Sequence, residues 1–435
     1  MKRRTAGSCA AAGLAVAALL LPTAPASGTQ AVRGPAGDAA PRTVRGAAAE
    51  RQTQDMREML FVGNNWDGTV DVVSPGELSR KARVDVIPDR AERMREIAAD
   101  PLRLAYFLAI RQLVGEGHNQ YADDMYTAPD GRTLVVSRPS FADVVAIDLG
   151  TGELRWRFEV DGQRADHMAV SPDGKQVAVS ASTANVVHLL DIETGKETGR
   201  FPTGDSPHEN VYSRDGGKIF NASIGLVYTP LDQPVFDTTK GERYVQVIDA
   251  DTQEVEKRID MGKKLEEAGY PDMSSAVRPM TFSPDERFVY FQVSFFHGFV
   301  EYDLQEDRVR RVVDLPIADH VKDMPREQYL LDSAHHGIAM NRQGTGICVA
   351  GTMSDYATIV SRSTLEHGEL VKAGTKPYWA TSSSDGRHCY VSWSGDDRIS
   401  AISYETGKEV ARLEVGDHPQ RMRLGRVDPD VLGAR

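Results

Sequence analysis

The chain has 435 residues, 40% of them hydrophobic, enough for a large core in one repeat domain or in two or three ordinary ones. Its formal charge is −12, with no basic run. That balance argues against nonspecific binding to nucleic acid or to an anionic membrane, because both need a basic surface.

Residues 1–26 have the layout of a secretory signal: Lys2, Arg3 and Arg4, then an apolar run over 10–21, then Ala24-Pro25-Ala26 as a cleavage site. The run is too short for a spanning helix. Cys9 precedes it and is no lipid anchor, while Arg3-Arg4 also permits twin-arginine export. The expected product is secreted, with no stable membrane insertion. Residues 27–57 are rich in Ala, Gly, Pro and Arg without periodicity and read as a disordered linker.

From 58 to 425 one unit repeats. Its clearest copy is 166–196, DHMAVSPDGKQVAVSASTANVVHLLDIETGK. A short apolar run leads into the turn Ser171-Pro172-Asp173-Gly174. An alternating strand, a polar break, a Val/Leu-rich strand and the turn Glu193-Thr194-Gly195-Lys196 follow, and then an outer strand. In the first turn Pro presets φ, Asp bonds its own backbone and Gly accepts φ > 0. That turn recurs with its opening residue at Ala128, Ser171, Ser213, Ser283, Asn341 and Ser383. The spacing is about 42 residues, the length of a four-stranded propeller blade, or longer where an insertion intervenes. Strands at 59–64, 69–74 and 82–87 have no first strand before them, and 420–424 is a first strand with nothing after it. The two halves complete one blade and close the ring. The expectation is an all-β, seven-bladed β-propeller over 58–425, closed by pairing of its N- and C-terminal segments, with a tail at 426–435.

Four connections are long: 88–122, 225–243, 261–277 and 315–334. In an up-and-down blade these all emerge on one face, over the central channel and opposite the short turns. Long loops gathered on a rigid face are where function concentrates. The helical insertion, 88–118, lies between blades 1 and 2. Its apolar stripe runs from Met94 and Ile97 to Leu113 and is broken by Pro101, which predicts helices at 90–99 and 101–115 with Asp89 as a cap.

Each first strand begins on the insertion face. Five and four residues before the turn stand Asp123/Asp124, Asp166/His167, His208/Glu209, Arg278/Pro279, His336/Gly337, Tyr378/Trp379 and Gln420/Arg421, with His335 preceding His336. Equivalent positions in a closed ring converge on its axis. The candidate ligand-binding residues are therefore Asp123, Asp124, Asp166, His167, His208, Glu209, Arg278, His335, His336, Tyr378 and Arg421. In one reading His167, His208 and His336 bind a transition metal at the axis, with Asp124 or Glu209 beside them. In a second, a metal-free pocket holds a small molecule, with Arg278 and Arg421 on a carboxylate or phosphate. In a third the ring is solvated and internally paired, as Asp124–Arg421 or Glu209–Arg278. His118 and His297 sit in insertion-face connections within reach of the mouth. No G-x-S-x-G is present, and no Gly-rich phosphate loop follows a strand and opens a helix, so no catalytic residue is assigned. Cys348 and Cys389 fall in second strands of neighbouring repeats at opposite parity, which fits a disulfide between blades or two buried thiols.

The run LFVGNNWDGTVDVVS (60–74), the SPDG turns and the TGK turns resemble the YVTN-type β-propeller repeat family, the YncE-like proteins. The resemblance implies the fold and leaves the function open. Related propellers serve as amine dehydrogenase heavy subunits, as lactonases and as the copper-cluster domain of nitrous oxide reductase. The expected function is binding of a small molecule or a protein partner at the insertion face. The alternative is an enzyme at the same mouth, either a metal-dependent oxidoreductase (or a subunit of one) or a lactonase-type hydrolase.

Overall fold

The computed structural model describes residues 56–226, 239–329 and 333–432. The expected signal segment, nearly all of the expected linker and most of the 225–243 connection lie outside them. Seven antiparallel sheets form the blades of a β-propeller, six with four strands and one with three. Among the described residues no helix is long and apolar enough to cross a membrane.

Blade 1 is built from both ends of the chain. Arg57–Asn64, Thr69–Ser74 and Ser79–Asp85 are completed by Pro419–Val427 on the inside. Leu60 faces Leu424 and Val62 faces Met422, and the pairing extends to Arg57 against Val427, slightly beyond the expected 58–425. Leu60, Val62 and Met422 have no exposed surface and pack against Trp379, Tyr390 and Ile399, so closure also makes a core between blades 7 and 1. The tail carries a short helix, Pro429–Leu432.

Blade 6 departs from the repeat. After Gly337–Met340, Gly346–Gly351 and Tyr356–Ser361 its outer strand is reduced to two bridges, Ala357 to Val371 and Val360 to His367. Gly368 interrupts that segment, and glycine weakens a strand interior. Cys348 of this blade is joined to Cys389 of blade 7 by a disulfide, with Cα atoms 6.3 Å apart.

The first insertion forms α1 (Arg90–Ala99) and α2 (Pro101–Leu113). Asp100 caps α2, accepting from the N–H of Leu102 and Arg103, while Pro101 fills the first turn, where a missing N–H costs nothing. Asp89 does not cap α1; its carboxylate is taken by the buried Arg138 at 2.5 Å. Arg138 also holds Asp143, and the buried Arg93 holds Asp143 and Glu159. Ile97 and Phe107 pack against Tyr121 and Phe141. The helix pair is thus anchored to blade 2. A third helix, α3 (Met261–Glu267), occupies the 261–277 connection; it was not expected, and it buries Met261 and Leu265 in the core of blades 4 and 5.

Candidate axial site

The residues five places before the turn in each blade, Asp123, Asp166, His208, Arg278, His336, Tyr378 and Gln420, all line one chamber of about 70 Å³. His167 and Arg421, one place further on, line it too. The expected open mouth is covered: Leu113 of α2 and the adjoining Val114 form part of the wall, and His167 and His336 are each 1% exposed. A separate channel of about 530 Å³ is lined by Pro172 and Arg214 near the short turns and by Tyr126, Glu209, Trp379 and Arg423 deeper in.

Three imidazoles meet in the chamber. The candidate ligand atoms of His167, His208 and His336 all lie within 4.8 Å of one another. The rings of His167 and His208 are 3.7 Å apart, and His336 stands about equally far from both, at 6.2 and 6.1 Å. His336 stacks on Tyr378 at 4.1 Å. That approach depends on Gly337, because a Cβ there would lie 2.6 Å from the backbone nitrogen of Ala380.

Carboxylates orient two of the rings. Nδ1 of His167 is 2.5 Å from Glu209, and Nδ1 of His208 is 3.2 Å from Asp166. Nε2 of His208 and Nδ1 of His336 have no hydrogen-bond partner among the described residues. Imidazoles that ligate a metal commonly give the second nitrogen to a carboxylate in this way, which fixes the tautomer and the ring orientation. Burial holds His167 and His336 well below the ordinary histidine range, with Arg421 adding to the effect. Burial also brings His208 down to about 4, against the pull of Asp166. All three are therefore neutral at physiological pH, the form that coordinates metal. The donor set fits a transition metal: three neutral imidazoles with room for a further ligand. Asp123, Asp166 and His167 form a second group of the same compactness.

Charged groups complete the wall. Asp166 pairs with Arg164 and Asp123 with Arg421. Burial pushes Asp123 up to about 6 although Arg421 opposes it. Asp166 stays below its ordinary value because Arg164 and His208 together outweigh its burial. Glu209 is pushed up to about 8 by burial, with Arg423 and Arg421 opposing.

Eight of the eleven candidate residues line the chamber: Asp123, Asp166, His167, His208, Arg278, His336, Tyr378 and Arg421. Asp124 is displaced along the axis and is gripped by Arg423 through two bonds of 2.8 Å. Glu209 lines the channel and reaches the chamber through His167. Asp124–Arg421 survives as a long pair at 3.9 Å beside the closer Asp123–Arg421, and Glu209 pairs with His167 in place of Arg278. His335 turns away: it precedes the strand Gly337–Met340 and packs against His297 and Tyr356. His118 stacks with His418 on the two faces of Trp66, and neither lines the chamber. Arg164 and Gln120 were missed. They stand before the first strand or in an insertion, outside the repeat's phase, and no periodic signal marks them.

No protein-family model matches the chain, and no curated protein matches it in sequence. Among solved structures it is similar to a chain of Kuenenia stuttgartiensis hydrazine synthase, with a TM-score of 0.55 and 17% identity. The match covers 79% of this chain and 92% of that one. At that identity the likeness is one of fold.

Proposed function

We propose that this protein is a metal-centred β-propeller in which His167, His208 and His336 hold a transition metal at the axis, leaving a coordination position for a small ligand or substrate. The observation that carries the reading is the meeting of three neutral, buried imidazoles within 4.8 Å, two of them backed by carboxylates. Imidazole donors suit zinc, copper, iron and nickel, and copper(II) heads the affinity order. The enzyme reading, a metal-dependent oxidoreductase or hydrolase, follows from the position left open beside three protein ligands. The likeness to hydrazine synthase is compatible with an enzymatic role and carries no chemistry across. Export through the 1–26 signal and the YVTN-type repeat assignment belong to the same proposal; N-terminal sequencing of protein from the culture medium tests the first.

Elemental analysis of protein purified without a histidine tag is the direct test. About one transition metal per chain is expected, either as isolated or after exposure to copper(II) or zinc(II). His208→Ala and His336→Ala should lose it while still unfolding cooperatively as folded propellers. A wild-type protein that binds no metal at micromolar free copper refutes the reading.

A second site favours the other reading, a ligand at the insertion face. A cavity of about 520 Å³ lies where the end of the first insertion meets blades 6 and 7, lined by Glu116, His320, Tyr329, Asp355 and Lys376. Small molecules or a partner's side chain would bind there independently of the axial metal.

A further inference from the structure

A metal or ligand that reaches the axial chamber has to cross its wall, since His167, His336 and Arg421 are each 1% exposed. The described residues offer two routes, one from each face of the propeller.

The route from the short turns ends on Glu209, Trp379 and Arg423, deep in the channel of about 530 Å³. None of the described residues lines both that channel and the chamber. The layer between them is pinned. Glu209 holds Nδ1 of His167 at 2.5 Å, and Arg423 holds Asp124 through two bonds of 2.8 Å. Arg421 and Arg423 lie over the ring of Trp379 at 4.6 and 5.0 Å. Passage there would break these contacts and leave buried polar groups without partners.

The route from the insertion face meets one aliphatic side chain. Leu113 lines the chamber, and it also lines the cavity of about 520 Å³ where the first insertion meets blades 6 and 7. Among the described residues it is the one that borders both.

The frame around Leu113 is fixed while its side chain is not. Leu113 is the last residue of α2 and is partly exposed, whereas Ile110 and Phe107, about one and two turns earlier, are buried. The backbone after it is held: the N–H groups of Val114 and Gly115 both donate to the carbonyl of Ile110, and that of Gly117 to Arg111. Glu116 then pairs with Lys376 at 2.5 Å, and His118 stacks on Trp66 at 3.8 Å, which ties the end of the insertion to the start of blade 7 and to blade 1. A rotamer change at a partly exposed leucine is fast and breaks no hydrogen bond.

We infer that the insertion-face cavity is the entrance to the axial chamber and that Leu113 is the side chain that controls passage between them. The inference rests on the metal reading above and adds a route to it.

The test mixes the metal-free full chain with copper(II) in a stopped-flow instrument. Uptake is followed by quenching of tryptophan fluorescence, Trp379 being 6.0 and 6.2 Å from His336 and His167. Release is followed in excess EDTA. Leu113→Ala should speed uptake and release alike by about tenfold, the effect of lowering one barrier by about 1.4 kcal/mol. The dissociation constant should stay within about twofold of wild type, because a residue on the path changes both rates together whereas one that supports the site changes the affinity. Leu113→Phe should slow both rates. Gln112→Trp, which fills the cavity, should slow uptake, and Met340→Trp, which fills the opposite channel, should not. If the alanine variant does not fold, the phenylalanine and Gln112 variants carry the test. Rates unchanged in the Leu113 variants, a Leu113 effect on affinity in place of rate, or slowing by Met340→Trp and not by Gln112→Trp overturns the inference and leaves the metal reading standing. A wild-type chain that takes up no copper overturns both.

Discussion

Glu209→Gln isolates the contribution of the carboxylates behind the histidines. The side chain keeps its shape, and its amide oxygen still accepts from Nδ1 of His167, now 2.5 Å from the carboxylate. Compared at pH 9, above the value of about 8 to which burial raises Glu209, only the charge is lost. A hydrogen bond to a charged group contributes about 1.5–3 kcal/mol and a neutral one about 0.5–1.5 kcal/mol. The difference, about 1–2 kcal/mol, corresponds to roughly 5–30-fold in metal affinity, in line with the tenfold to hundredfold typical when an orienting partner of a metal ligand is changed. Competition with a chromophoric chelator at fixed pH measures it, and circular dichroism melts of the metal-free protein report on the fold. His335→Ala is the control. It neighbours His336 in sequence but packs against His297 and Tyr356, so metal affinity should hold while stability drops by about 2 kcal/mol or more. Metal affinity within twofold of wild type for Glu209→Gln, or a loss in His335→Ala as large as in Glu209→Gln, would refute the assignment of His167 as a ligand oriented by Glu209.

Three further outcomes follow from the fold. Replacing Cys348 and Cys389 together by alanine opens a loop of 41 residues and should cost about 4 kcal/mol by chain entropy, read as a lowered denaturant midpoint; an unmoved midpoint means the cross-link does not constrain the unfolded chain. Deleting residues 417–435 removes the inner strand of blade 1 and the buried Met422, and should lower the melting temperature sharply; a melt unchanged by the deletion counts against closure. Acid should destabilise the fold early. Burial depresses His297 to about 4 and His418 to about 3, so the unfolded chain takes up protons near pH 6.5 that the native state refuses. Stability from these two groups is full above about pH 6.5 and falls below it by about 1.4 kcal/mol per group per pH unit. Denaturant midpoints equal at pH 7 and pH 5 would show that neither histidine is held neutral.

The repeat made the fold legible because each blade spends its sequence the same way. The SPDG and TGK turns mark blade edges independently of tertiary context, and once they are in phase the closing strand at the C terminus has one place to go. The axial residues were legible for the same reason: a fixed offset from a fixed turn becomes a fixed height on the axis. The same reasoning failed where side-chain direction mattered. His335 and His336 are adjacent in sequence just before the strand Gly337–Met340, yet His335 packs against His297 and Tyr356 and only His336 reaches the chamber. Asp124 and Glu209 were assigned to the right strands but to a neighbouring level. Arg164 and Leu113 enter from outside the repeat, so no phase pointed to them. The cover over the chamber was legible only as two helices, because their placement rests on Arg93 and Arg138 pairing with Asp143 of blade 2.

The polarity of the chamber distinguishes a binding site from a solvated axis. Asp123 Oδ2, Asp166 Oδ1, His208 Nε2, His336 Nδ1, and Nε and Nη2 of Arg421 are buried without a hydrogen-bond partner among the described residues. Each such group costs about 1–3 kcal/mol if it stays unsatisfied. A propeller axis needs none of them: alanine, serine or valine at the seven equivalent positions would close it at no such cost. Water can satisfy a donor or a carboxylate, but it does not account for three imidazoles held neutral, two of them with Nδ1 on a carboxylate. A metal accounts for that arrangement, since it takes the free ring nitrogens while Glu209 and Asp166 hold the opposite ones. The metal accounts for the two histidine nitrogens and leaves Asp123 Oδ2, Asp166 Oδ1 and the Arg421 nitrogens to be satisfied by water or a ligand in the chamber.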